Sequence, residues 1–184
     1  KAIDGLKTLP DSSIDLIISK PFFYNNEGKL PSVDFEEQEI WIEESKRSIN
    51  ELGAFVLITP IEFSFTFQQI IEKHFTVQGR INFPLESNER NLPWKQPSFD
   101  LLVCYKGNSK INNHPDTKRE GKESLNNTIS DVMNLVTHKR NLVVDPFLNQ
   151  GDIAKIAHGL ERKFIGFEED KNKLLMIMKK LNEG

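Results

Sequence analysis

Cysteine is almost missing from this chain. One, Cys104, stands among 184 residues, so no internal disulfide can staple the fold. Within the run Leu101-Leu102-Val103-Cys104-Tyr105, that thiol reads as a small core hydrophobe. Its solitude fits a reducing setting, cytoplasmic, or nuclear in a eukaryote. No apolar run approaches the ~20 residues of a bilayer-spanning helix, so a membrane protein is not expected. The opening Lys1-Ala2-Ile3-Asp4 carries neither an initiator Met nor a basic-then-apolar leader, and the expectation is a fragment or trimmed product. A surplus of positive charge is lacking too. The 24 Lys and Arg against 27 Asp and Glu leave −3, so any basic patch that displaces counterions from phosphates must be local. The four histidines show no ligand spacing, so no metal is expected.

What remains is 38% hydrophobic and 28% charged, which reads as one globular domain over residues 1–184. After the turn-like Pro10-Asp11-Ser12-Ser13, the apolar run from Ile14 to Ile18 predicts a buried strand. Residues 25–31 are a polar loop. Residues 34–52 predict a helix with Ile42, Ser45, Ile49 and Leu52 on one face, stopped by Gly53. A strand over 54–59 follows, and Pro60 opens a helix striped by Phe63, Phe67, Ile70, Ile71 and His74. Residues 75–83 and 99–105 predict strands, joined by a loop over 84–98. Residues 107–121 are a polar loop interrupted by proline. Then come a helix striped by Leu125, Ile129, Val132, Met133 and Val136, a strand over 141–145, and a helix striped by Ile153, Ile156, Ala157 and Leu160. A strand over 164–167 and a helix marked by Leu174, Leu175, Met178 and Leu181 end the chain. Strands alternating with helices predict an α/β fold: a mostly parallel sheet with helices on both faces.

In such sheets ligands bind beyond the carboxyl ends of the strands. After the strand at Leu142 comes Asp145-Pro146-Phe147-Leu148-Asn149-Gln150-Gly151, leading into a helix; after the strand at Phe164 comes Glu168. Gly151 and Glu168 lie 17 residues apart, near the ~20 of an acid that grips ribose hydroxyls. Together these suggest a nucleoside cofactor.

Here the chain resembles the beta-class DNA amino-methyltransferases. Residues 142–151 resemble that family's LVLDPFxGSG stretch, and 154–168 its AAxxLGRRFIGIE. Residues 6–18 are similar to the segment leading into its TDPPY motif, and Phe99-Asp100-Leu101-Leu102-Val103-Cys104-Tyr105-Lys106-Gly107 to its HEILVYSKG strand. The resemblance implies a Rossmann-like fold in permuted order: a catalytic half over 1–106 and a cofactor half over 122–184. It implies S-adenosylmethionine as cofactor, held by Asp145, Phe147, Gly151 and Glu168. It also implies methyl transfer to an amine of adenine or cytosine on a flipped base. His114-Pro115 echoes the family's HPTQKP box, whose lysine position falls near Lys122.

Against that pattern, the catalytic motif reads Ser19-Lys20-Pro21-Phe22-Phe23. Lys20 stands at the acceptor position, and a protonated lysine only donates hydrogen bonds. A register shifted by one aligns Ser19 through Phe22 with SPPF instead. Family GSG becomes Asn149-Gln150-Gly151, and asparagine is among the better non-glycine residues at positive φ. The family's acid near the adenine falls at about Lys1. The family's target-recognition region shrinks to 107–121, a short basic loop in which Lys110, Lys118 and Arg119, flanked by Lys106 and Lys122, are phosphate candidates. The expectation is a degenerate member, impaired in catalysis, acting as a DNA-binding or structural subunit with a methyltransferase partner or as a homodimer. A divergent active DNA methyltransferase is the alternative, and a small-molecule or RNA methyltransferase a third.

Overall fold

The structure is a computed structural model describing residues 1–25, 27, 29–84, 98–107 and 124–182. Along the chain run α1 (Ala2–Lys7), β1 (Ile14–Ser19), α2 (Phe35–Ser48), β2 (Ile49–Pro60), α3 (Ile61–Ile71), β3 (Thr76–Pro84), β4 (Ser98–Tyr105), α4 (Leu125–Val136), β5 (Leu142–Asp145), α5 (Asp152–Gly159), β6 (Lys163–Gly166) and α6 (Lys171–Asn182). The strands form one sheet in the order β3-β4-β2-β1-β5-β6. Neighbours among β1, β2, β5 and β6 pair in parallel, and β4 runs against both β2 and β3. This is the expected α/β, Rossmann-like sheet.

The central strands are apolar at nearly every position because both faces are covered. Alternation along each strand sorts the side chains between two cores. Ile17, Phe55, Leu57, Leu102, Cys104 and Val144 meet Trp41 and Ile42 of α2 and Phe67, Ile70 and Ile71 of α3. Leu16, Ile18, Val56, Leu101, Val103 and Val143 meet Ile129, Val132 and Met133 of α4 and Ile153 and Ala157 of α5. Cys104 lies in the first core, where burial pushes its thiol up, away from the reactive thiolate.

Three features differ from the sequence expectation. Helix α2 stops at Ser48, and Ile49 is already extended at the start of β2. Gly53 is therefore no helix stop. It lies where β2 bulges against β1: Ile14 pairs with Ile49, but Leu16 pairs with Ala54. A Cβ at Gly53 would come within 2.6 Å of Ile49 and 3.0 Å of two β1 carbonyls. On α6, the buried stripe is Ile177 with Leu174 and Leu181 around Leu148 and Ala154, whereas Leu175 and Met178 face solvent. The six-residue α1 carries no periodic signal of its own. It packs so closely that a Cβ on Gly5 would fall 2.5 Å from the Phe167 ring.

From β1 the chain moves to one side of the sheet with β2 and returns on the other with β5. That reversal opens a crevice at the carboxyl ends of β1 and β5. Among the described residues, no helix is long and apolar enough to cross a membrane.

Candidate functional site

Ser19, the last residue of β1, is fully buried, and its hydroxyl donates to Asp145 Oδ1 at 2.6 Å across the crevice. The same oxygen of Asp145 accepts the Phe147 backbone N–H at 3.0 Å. Asp145 is shut away from solvent, and burial raises its carboxyl to a pKa of about 6. Those two hydrogen bonds and nearby Lys20 oppose the rise, while Glu168 adds to it.

Lys20 folds inward. Its Nζ lies 4.6 Å from the Phe23 ring centre and 5.8 Å from that of Phe99, within cation–π range of both. Burial lowers its pKa, and the charges of Asp152 and Asp145 partly restore it. The next two aromatics part company: Phe22 packs on Phe63 and Phe67 with ring centres 5.8 and 5.7 Å away, while Phe23 stays with the lysine. Tyr24 packs against Phe99 and donates to Glu62 at 2.6 Å; partial burial, then that hydrogen bond and the Glu62 charge, push its ionisation up.

The turn after β5 needs two left-handed residues, Asn149 (φ 49°) and Gly151 (φ 80°). Asparagine tolerates that conformation because its short amide bonds locally. Here Nδ2 donates to the Phe147 carbonyl at 2.8 Å and to the Lys20 carbonyl at 3.1 Å, strapping the loop to the tip of β1. Gly151 faces elsewhere: a Cβ on it would meet Ile177 of α6 at 2.6 Å. Its requirement is a positive φ plus helix packing.

Beside the crevice, a cavity of about 630 Å³ opens over the ends of β5 and β6, a volume within the range of small-ligand sites. Pro146, Phe147, Asn149, Gly166, Phe167 and Glu168 form its strand side, and α1 closes it with Ala2, Asp4 and Gly5. Apolar walls from Phe147, Phe167 and Leu174, with the carboxylates of Asp4, Glu168 and Glu169 and the ammonium groups of Lys1 and Lys173 also in the lining, suit a nucleoside, whose base stacks and whose hydroxyls donate. Phe147 and Asn149 are also walls of a second space, shared with Lys20, Phe23, Asp145 and Asp152, that holds only about 10 Å³. S-adenosylmethionine therefore fits in part: there is room for its nucleoside, and Lys20 and Asn149 fill the space between that nucleoside and the β1 tip.

Of the cofactor residues expected from sequence, Phe147 and Glu168 share the large cavity. Asp145 lies behind them as the buried acceptor, and Gly151 lines a separate cavity against α6. Lys106 is placed away from the site. The β2–β4 register pairs Ala54 with Tyr105, so Lys106 sits at the opposite end of the sheet from Ser19, donating to the Ile49 carbonyl at 3.1 Å and paired with Glu51 at 2.8 Å. Lys110, His114, Lys118, Arg119 and Lys122 lie outside the described residues. Sequence reasoning missed Asp152 and Phe99 beside Lys20, and the contribution of α1. No local signal marks them, because their roles arise from distant chain segments. Among the described residues, no three His, Cys, Asp or Glu gather into a possible metal site.

Known proteins share this pattern. The family profile for DNA methylase (N6_N4_Mtase) matches residues 14–179. Type II methyltransferase M.HinfI of Haemophilus influenzae is 22% identical over 239 residues, covering 98% of this chain and 66% of that protein. The chain thus spans just under two thirds of that relative's length. The crystal structure of the M1.HpyAVI–SAM complex matches with a TM-score of 0.74 at 22% identity, over 98% of this chain and 96% of that one. PvuII DNA methyltransferase, cytosine-N4-specific, matches at 0.69 and 14% identity, over 100% and 88%.

Proposed function

Because the chain belongs to the DNA methylase family, we propose that it is a DNA amino-methyltransferase relative that keeps a nucleoside site, has lost methyl transfer, and acts on DNA as a binding or structural subunit beside a partner. The observation that carries this reading is the tip of β1. Transfer to an exocyclic amine needs a hydrogen-bond acceptor there, to aim the nitrogen lone pair. At that tip Lys20 presents an ammonium, held between Phe23 and Phe99, and an ammonium accepts nothing. The Ser19 hydroxyl is buried and donates to Asp145, and the Lys20 carbonyl already accepts one hydrogen bond from Asn149. At the acceptor position of the motif the side chain is therefore a donor.

S-adenosylmethionine, when bound to a methyltransferase, supplies an activated methyl group. In this chain the residues placed toward it do different work. Glu168 accepts hydroxyl hydrogens, Phe147 and Phe167 cover a base, and Asn149 holds the loop closed.

One observation favours a second reading, a divergent active enzyme: burial lowers the pKa of Lys20, and a neutral amine is an acceptor. Transfer of labelled methyl from S-adenosylmethionine to mixed-sequence DNA separates the two. The transfer-deficient reading expects no labelling by the unmodified chain. Labelling that rises with pH and disappears in Lys20→Met would establish the active one.

A further inference from the structure

The two spaces that share Phe147 and Asn149 differ in one respect that bears on ligand choice: the smaller one already holds a cation. We infer that the nucleoside cavity selects uncharged adenosine thioethers, such as S-adenosylhomocysteine, over the sulfonium S-adenosylmethionine, because the Lys20 ammonium occupies the place where the sulfonium charge would lie. The inference rests on the proposed nucleoside reading of the large cavity and deepens it.

A methyl group bound for the tip of β1 must sit between the cavity over β5 and β6 and the residues after Ser19. The wall between them is Phe147 and Asn149, and on its far side lie Lys20, Phe23, Asp145 and Asp152 around a remnant of about 10 Å³. The surroundings of the Lys20 Nζ are those a trialkylsulfonium seeks: the Phe23 ring 4.6 Å away, the Phe99 ring at 5.8 Å, and two carboxylates whose fields favour a positive charge. Lys20 already places one ammonium between those rings and beside those two carboxylates. A second cation brought to the same wall is repelled at short range in a poorly solvated setting. A thioether sulfur carries no charge and incurs no such repulsion, so the neutral ligand keeps its nucleoside contacts with Phe147, Phe167 and Glu168. The Asn149 strap to the Lys20 carbonyl fixes the backbone from which that side chain projects.

The test is calorimetric titration of the full chain at pH 7 with S-adenosylhomocysteine and S-adenosylmethionine, repeated on Lys20→Met, Lys20→Gln and Glu168→Ala. The expected result is at least tenfold tighter binding of the thioether by the unmodified chain. Both Lys20 variants should shrink that preference tenfold or more, chiefly by improving the sulfonium. A single cooperative urea transition in each variant shows that it is folded. Sulfonium binding as tight as thioether binding in the unmodified chain, or a preference that survives both Lys20 variants, overturns the inference while leaving the nucleoside cavity standing. Failure of either ligand to bind any form, or binding indifferent to Glu168→Ala, removes the cavity reading and the inference with it.

Discussion

The Ser19 hydroxyl gives its hydrogen to Asp145 at 2.6 Å, joining the ends of β1 and β5 through two groups that water does not reach. A bond to a buried carboxylate is worth about 1.5–3 kcal/mol. Ser19→Ala should cost that much in urea unfolding at pH 7, and less at pH 4, where the carboxyl is protonated and its need for a donor is smaller. Equal losses at both pH values would show that the hydroxyl stabilises by packing alone.

Asp145 also sets a pH dependence whose sign follows from its raised pKa of about 6. In the unfolded chain the carboxyl ionises near its ordinary value of about 3.9. Below that pH both states are neutral at this position, and folding incurs no charge penalty. As pH rises toward 6 the unfolded state gains charge freely while the folded state resists. This one group should therefore remove about 2–3 kcal/mol of stability across that window and keep it removed at higher pH. Asp145→Asn lacks the slope. The stability difference between variant and unmodified chain, measured from pH 4 to pH 7, should move in the variant's favour by that amount. A flat difference would mean that Asp145 is ionised throughout.

Gly151→Ala should destabilise by about 2–4 kcal/mol, combining a left-handed backbone with a Cβ forced onto Ile177. Adding Ile177→Ala should make the pair less damaging than the sum of the two changes, because one relieves the overlap caused by the other. Strict additivity in chemical denaturation would assign the whole cost to the backbone.

Glu168 is half-buried and accepts the Asp170 backbone N–H at 3.1 Å, so Glu168→Ala should cost about 0.5–1.5 kcal/mol of stability. If Glu168 takes the proposed role of accepting two nucleoside hydroxyl hydrogens, its loss is worth about 2–3 kcal/mol, and nucleoside affinity should fall roughly 30- to 150-fold. Unchanged affinity in a competition assay would place the nucleoside away from β6.

The strands were the most legible part of the sequence, because short β-branched apolar runs after turn residues, such as Leu16-Ile17-Ile18 after Pro10-Asp11-Ser12-Ser13, suit a strand buried on both faces. The α2–β2 junction was not. Ile49 and Leu52 fit a helical stripe as well as a strand, and the bulge that requires Gly53 depends on β1, a partner 35 or more residues away in sequence. On α6, the four residues from Leu174 to Ile177 are all apolar, so periodicity alone could not say that Ile177 faces inward. At the site, Asp145 and Glu168 could be found from their places just past strand ends, and the left-handed Asn149 from its residue type. The strap from Asn149 to Lys20 spans 129 positions, and the Phe99 ring meets the lysine only once β4 has joined the sheet.

The Ser19–Asp145 contact joins residues 126 positions apart, and every wall of the crevice draws on both ends of the chain. Contacts of such long separation incur more loop-closure entropy than local ones and slow folding. Neither terminal half holds the crevice by itself, because β1 supplies one lip and β5 the other. Ligand binding at this seam therefore reports the docking of the two halves, and two separately expressed fragments would regain it only by reassembling.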